Sequence, residues 1–274
     1  MTTTQMTPEM EALKGKLRAT WIAGDFGVIA RMIEKGGEEF VDRLDVGPGK
    51  HVLDVACGTG NLAVPAAKKG ADVTGVDIAP NLIEQAEKRA AAEGVTAKFE
   101  VGDAEAMPYA DGAFDVTMTM FGAMFAPRPD VTASELVRVT KPGGTIAMAN
   151  WTPEAFTGAM FKTGAKHVPP PPGMSPPLQW GMEDLVRERF GDKVSDLQMN
   201  RRKILFTFDG SPEDVVEHFR QYFGPTNKAF ESLDEIGQAA LRKDLVDLWT
   251  EHNQATDGTT RVESEYLEVI ATKR

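Results

Sequence analysis

The sequence predicts an α/β fold built on a doubly wound, mostly parallel sheet. Three observations carry that prediction. Val52-Leu53-Asp54-Val55 is an apolar run leading into Ala56-Cys57-Gly58-Thr59-Gly60, the pattern of a strand covered on both faces that ends in a glycine turn. A helix and a second strand ending in Asp77 follow at once, which completes a nucleotide-binding βαβ unit. Strand and helix patterns then alternate as far as Trp151, the rhythm of a parallel sheet with helical crossovers.

Taken in order, residues 1–8 are polar, are expected to fray, and lack the basic-then-apolar pattern of a signal peptide. Glu9 to Ala23 read as a helix with Met10, Leu13, Leu17 and Trp21 along one face. Gly24-Asp25-Phe26-Gly27 breaks it, and a second helix is expected from Val28 to Leu44. Gly47-Pro48-Gly49 turns the chain into the first strand, His51 to Val55. Asn61 to Lys69 form a short helix stopped by Gly70, and Asp72 to Asp77 the second strand. Pro80 opens a helix that runs to Glu93. Lys98 to Val101 and Phe114 to Met120 are the third and fourth strands. Val131 to Thr140 is a helix, Lys141 to Gly144 a turn, and Thr145 to Trp151 the fifth strand.

The rhythm breaks there. Glu154 to Lys166 can be helical, but six of the eleven residues from His167 to Pro177 are proline, which stiffens the segment into extended or polyproline conformation. With Leu178, Trp180 and Met182 directly after it, the segment reads as part of a lid. Glu183 to Phe190 is a short helix, and Val194 to Phe208 has strand character. Ser211-Pro212-Glu213-Asp214 starts a helix carrying Val215, Val216, Phe219, Tyr222 and Phe223, broken at Gly224-Pro225. Leu233 to Asn253 is a longer amphipathic helix, and Glu265 to Thr272 the last strand.

The 274 residues, 42% of them hydrophobic, suffice for one large domain or a domain with a cap. A formal net charge of −11 argues against a nucleic-acid partner, because binding the phosphate backbone needs clustered Lys and Arg. Arg201-Arg202-Lys203 reads as a solvated strand end. Cys57 is the only cysteine, so no internal disulfide forms and a reducing, cytoplasmic setting is expected. Inside a glycine turn it reads as a small filler rather than a nucleophile. No apolar run reaches membrane length, so no membrane insertion is expected.

Spacing alone leaves the nucleotide open. Gly58, Gly60 and Ala63 fit the relaxed dinucleotide fingerprint, and Asp77 lies 19 residues past Gly58, near the NAD expectation. Asp54 shifts the balance. A carboxylate at the end of the first strand, ~5 Å from a pyrophosphate, would cost ~3 kcal/mol per phosphate charge at an effective dielectric of 20. S-adenosyl-L-methionine has no phosphate and carries a sulfonium and an ammonium, so the same acid attracts it. The rival, an NAD-dependent oxidoreductase, requires Asp54 to point away from the loop.

Asp54-Val-Ala-Cys-Gly58-Thr-Gly60, then Asp77, then Gly102-Asp103-Ala104-Glu105, resembles the class I S-adenosylmethionine-dependent methyltransferases. The closest flavour is the small-molecule type that includes the quinone-biosynthesis C-methyltransferases. The resemblance covers residues 45–151. Ala56 departs from it, since many members carry glycine there. The resemblance implies a seven-stranded sheet whose last strand runs antiparallel beside the fifth. It divides the chain into an N-terminal helical cap (1–45), a donor-binding core (46–151), a lid and capping insertion with a late sheet strand (152–260) and a final strand (261–274).

It also implies methyl transfer from S-adenosyl-L-methionine, leaving S-adenosyl-L-homocysteine, to a small apolar or aromatic acceptor, with no metal. Asp54 and the turn through Ala56, Gly58, Thr59 and Gly60 would hold the methionine portion. Asp77 and Ile78 would take the ribose, Asp103 and Ala104 the adenine. Phe121 sits where the family places contacts to the donor. Trp21 and Phe26 either pack the cap on the sheet or form an aromatic wall over the sulfonium. The acceptor would lie under Phe125, Trp151, Trp180, Phe219 and Phe223. His167, beside the proline segment, and Tyr222 are the candidates for an optional general base, whereas His51, His218 and His252 read as solvated or packing residues. A second alternative is a non-catalytic S-adenosylmethionine-binding interaction protein. A nucleic-acid methylase is disfavoured further by Phe121-Gly122 standing where an Asn-Pro-Pro-aromatic motif would be.

Overall fold

The computed structural model describes residues 6–274; of the N-terminal stretch expected to fray, Met1 to Gln5 lie outside the described residues. In chain order, α1 (Pro8–Ile22), α2 (Phe26–Ala30) and α3 (Glu34–Asp42) precede β1 (His51–Val55), α4 (Ala63–Lys68), β2 (Asp72–Asp77), α5 (Pro80–Ala92), β3 (Lys98–Val101) and β4 (Phe114–Met120). They are followed by α6 (Pro129–Val139), β5 (Thr140–Trp151), α7 (Phe156–His167), α8 (Glu183–Phe190) and β6 (Val194–Phe208). The chain closes with α9 (Pro212–Tyr222), α10 (Gly224–Glu231), α11 (Glu235–His252) and β7 (Thr260–Lys273).

All seven strands form one sheet in the order β3-β2-β1-β4-β5-β7-β6. The first five are parallel; β7 runs antiparallel to both β5 and β6. Strand order reverses between β1 and β4, and a crevice opens at such a point beyond the strands' carboxyl ends. The central strands are apolar because helices cover both faces. Val52, Leu53, Val55, Met118, Ile146 and Ala147 are buried among them.

Local chemistry explains the element boundaries. Thr7 caps α1 by accepting from Met10 N–H at 3.3 Å, and Asp25 caps α2 by accepting from Gly27 N–H at 3.0 Å. Ser211 and Asp214 form a reciprocal capping box on α9. Several expectations are corrected. The single helix expected over Val28 to Leu44 is α2 and α3 joined by a 3₁₀ turn at Arg31–Ile33. The turn at Lys141 to Gly144 belongs to β5, which starts at Thr140 with a register shift against β4. Gly224-Pro225 does not merely break a helix: with proline in its first turn, it opens α10.

The N-terminal helices and the C-terminal insertion meet backbone to backbone. A Cβ at Gly224 would stand 2.0 Å from the Thr20 carbonyl oxygen, and one at Gly24 would stand 2.6 Å from that of Tyr222. Asp25 N–H donates to the Tyr222 carbonyl at 3.0 Å. The loop after α1 and the junction of α9 with α10 are thereby packed together beside the crevice.

Candidate active site

A cavity of about 1060 Å³, counting its open mouth, lies at the switch point. Its floor is the turn after β1. Ala56 and Gly58 both have positive φ, 55° and 54°, so the chain doubles back tightly enough to present backbone to a ligand. Asp77, at the end of β2, holds that turn: its carboxylate accepts from Gly58 N–H and from Ala79 N–H, both at 2.9 Å. Asp54 accepts from Ala63 N–H at 3.0 Å and lines the cavity. Burial holds the Asp54 carboxyl well above the ordinary range, and the charge on Asp77 adds to the effect; burial likewise raises Asp77. Cys57 is buried and its thiol is pushed well up by burial, which suits a filler.

At the far end, Asp103 and Ala104 line the cavity after β3. Asp103 accepts from Glu105 N–H at 2.9 Å and also takes the Lys14 ammonium from α1. Overhead stand Trp21 and Phe26, whose rings meet edge-on at 5.6 Å. Thr59, Ile78 and Phe121 complete the expected wall. Gly60 does not reach it: the residue shapes the turn with φ 82°, and a Cβ there would press on Val64 at 3.2 Å.

The charges in this wall are three carboxylates, Asp54, Asp77 and Asp103, against one cation, Lys14. Such a lining attracts a cationic ligand and repels a diphosphate. Because the Asp54 carboxylate sits under the loop rather than turned away, the condition for the NAD reading is not met.

A second chamber, of about 410 Å³, shares Trp21, Phe26, Ile33, Phe121 and Phe125 with the first. It continues between Trp151, Met160, Phe161, Phe206, Phe219 and Phe223. Phe121, at φ 57°, lays its ring flat on Trp151 with centroids 3.6 Å apart. Among the described residues Thr157 carries its only hydroxyl, which is already paired with Ser264 at 2.8 Å.

A model of the methyltransferase domain matches residues 52–144. Over its full length the chain is 36% identical, across 277 aligned positions covering 100% of both proteins, to an uncharacterised protein of Mycobacterium tuberculosis. It is 43% identical over 105 residues to the 2-methyl-6-phytyl-1,4-hydroquinone methyltransferase of Synechocystis, covering 38% of this chain and 33% of that protein. The chain belongs to the class I S-adenosylmethionine-dependent methyltransferases. The fold is also that of a solved putative methyltransferase from Bacillus halodurans, at a TM-score of 0.59, 19% identity and coverage of 87% of this chain and 99% of that one. S-adenosyl-L-methionine is therefore the cofactor, and the acidic, phosphate-averse lining of the switch-point cavity fits it.

Not every expected methyltransferase residue comes to the site. His167 is outside both cavities, at the end of α7, with Nε2 2.9 Å from the Asp244 carboxylate that Lys166 also reaches at 2.7 Å. Tyr222 is outside as well: its ring packs on His218 at 4.9 Å and its carbonyl anchors Asp25. His167 ties α7 to α11, the Tyr222 ring packs within its own helix, and neither side chain lines a cavity. Trp180 is buried beneath the Arg189 guanidinium, 4.7 Å from the ring, and does not line the second chamber. The proline segment walls neither cavity and leans on α1 near Leu13, so it is no lid over the site. The sequence reading passed over Lys14, Met160, Phe161 and Phe206. Only Lys14 left a signal, standing seven residues before Trp21 on the same helical side.

Proposed function

We propose that this chain methylates a small, neutral, apolar or aromatic molecule seated in the second chamber. The observation that carries this reading is the chamber itself. It opens from the aromatic rim of the donor cavity, holds no titratable side chain, and has its one hydroxyl already satisfied. Carrying an ionised acceptor into such a space would cost several kcal/mol with nothing to offset it, whereas a flat apolar ring gains from burial and ring contacts. The Synechocystis relative is named for methylating a hydroquinone, an acceptor of this kind.

When bound, S-adenosyl-L-methionine supplies an electrophilic methyl group that an acceptor takes by in-line displacement. Asp54 and the turn at Ala56 to Thr59 hold the charged methionine end, Asp77 accepts from the ribose hydroxyls with the lone pairs left over from Gly58 and Ala79, and Asp103 accepts from the adenine amine. Trp21, Phe26 and Phe125 line both spaces, so they exclude water from the passage between donor and acceptor and set their approach. The sulfur–methyl bond would break as the acceptor–methyl bond forms, S-adenosyl-L-homocysteine would leave, and the proton the acceptor loses would pass to water, because no titratable side chain lines the second chamber among the described residues.

An S-adenosylhomocysteine-release assay over phenols, quinols, amines and thiols tests the reading. Turnover is expected with neutral ring-bearing acceptors, with kcat/KM falling at least tenfold for analogues bearing a fixed charge on the ring. Equal turnover of charged and neutral acceptors would overturn the acceptor class. Tight S-adenosylhomocysteine binding with no turnover on any class would favour a non-catalytic binding protein.

A further inference from the structure

Helix α1 faces the donor cavity with Lys14, Leu17 and Trp21, whose spacing puts them on one side of the helix. Among the described residues Lys14 is the only basic side chain in that wall. Its ammonium pairs with two carboxylates at once, that of Asp103 and that of Glu105, the latter at 2.6 Å. The lysine side chain is 10% exposed and the Glu105 side chain fully buried. Glu105 is held from the other side by Arg128, whose backbone N–H and Nε both donate to it at 2.6 Å. Asp103 has no such second cation: its other oxygen accepts only from Glu105 N–H at 2.9 Å.

This asymmetry has a physical consequence. Without Lys14, the Asp103 carboxylate would stand beside the charge of Glu105 with no cation to offset it, and repulsion would turn it away. With Lys14 in place, one Asp103 oxygen is fixed toward α1 and the other toward the backbone, before any ligand arrives. The ordering cost of the carboxylate is met in advance, which is how a preorganised site gains affinity. The same ion pair draws α1, and with it Trp21, over the mouth of the cavity.

We propose that Lys14 is a positioning residue of the donor site, acting through Asp103 to fix nucleobase recognition and to close α1 over the donor. The proposal rests on Asp103 reading the nucleobase amine. It adds a function for the N-terminal helix, which lies outside the matched methyltransferase domain at residues 52–144.

Calorimetric titration of the full chain with S-adenosylhomocysteine and with S-inosylhomocysteine, whose base carries a carbonyl in place of the amine, tests it. In the native protein the adenine compound should bind at least tenfold tighter than the hypoxanthine one. Lys14→Met should weaken S-adenosylhomocysteine at least tenfold and shrink that preference to threefold or less. Lys14→Arg should restore most of both, and Lys16→Met, on the exposed side of the same helix, should change neither. Should Lys14→Met fail to fold, Lys14→Gln is read in the same way. A folded variant that binds S-adenosylhomocysteine within threefold of the native protein overturns the proposal. So does equal weakening of both ligands, which would make Lys14 a mere helix anchor. Asp103→Asn with an unchanged base preference would instead overturn the assignment of Asp103 on which the proposal is built.

Discussion

Among single residues, Ala56 is the clearest case of a side chain in a conformation meant for another. Its φ of 55° is left-handed, which costs an L-residue roughly 1–2 kcal/mol, against the 0.5–1 kcal/mol of chain entropy that glycine would lose on folding. Ala56→Gly is therefore expected to raise stability by about 0.5–1 kcal/mol in urea unfolding. The turn also explains Gly122, where a Cβ would stand 2.6 Å from the Ala56 carbonyl oxygen and 2.7 Å from its methyl group. The acids beneath the turn set the pH response. Burial first, and then Asp77, raise the Asp54 carboxyl above its ordinary value of 3.8. A raised acid contributes stability that is full below its unfolded pKa and is lost as pH climbs through the folded one. A cationic donor prefers the ionised form, so its affinity should rise with pH across that window, with a proton released on binding. Calorimetry of S-adenosylmethionine in buffers of different ionisation enthalpy should detect that proton, and Asp54→Asn should abolish its release.

The elements around the site are held by close backbone approaches as well as by the Lys14 ion pair. Helix α1 lies against the start of α10 because Gly224 leaves room for the Thr20 carbonyl, and the loop after α1 crosses Tyr222 at Gly24. Gly224→Ala would push a carbon into a backbone oxygen and is expected to cost about 1–3 kcal/mol, as overpacked sites do. Because α1 also carries Trp21 and Lys14, the same variant should weaken S-adenosylhomocysteine binding, measured beside the melt. The pair of α7 and α11 is joined differently, through Asp244 with Lys166 and His167. That partly exposed tie is worth little on its own. It accounts for the one histidine that sequence position had placed near chemistry.

At the scale of the molecule, the donor cavity is walled by turns from the parallel half of the sheet and roofed by α1 and the start of α2, while α9 closes the second chamber. A ligand seated there bridges separately folded parts, so binding should register as global stabilisation. S-adenosylhomocysteine at about one hundred times its Kd should add about 2.7 kcal/mol, a rise in Tm of roughly 5–10 °C for a chain of this size. NAD and NADP should leave Tm unchanged in the same scan. The net charge of −11 spreads a repulsive field over the whole surface toward polyanions, in keeping with a small-molecule acceptor. No helix among the described residues is long and apolar enough to cross a membrane.

The donor half was legible in the residues because its parts are local. A buried strand, a glycine turn and a terminal acid announce themselves within 26 residues, Val52 to Asp77, and each acts through backbone geometry that its own neighbours dictate. The parallel part of the sheet followed from the same alternation, and the antiparallel last strand from the family resemblance. The second chamber was legible only in part. Phe125, Trp151, Phe219 and Phe223 could be named as aromatics near the right elements, but Phe161 and Phe206 look like any core residue until α7 and β6 are packed. Proximity across a hundred or more residues is set by which faces bury together, and hydrophobic periodicity records only that a side chain turns inward. For the same reason packing alone could take His167, Tyr222 and Trp180 away from the site and bring Lys14 to it. Local pattern determined what binds; long-range burial decided what surrounds it.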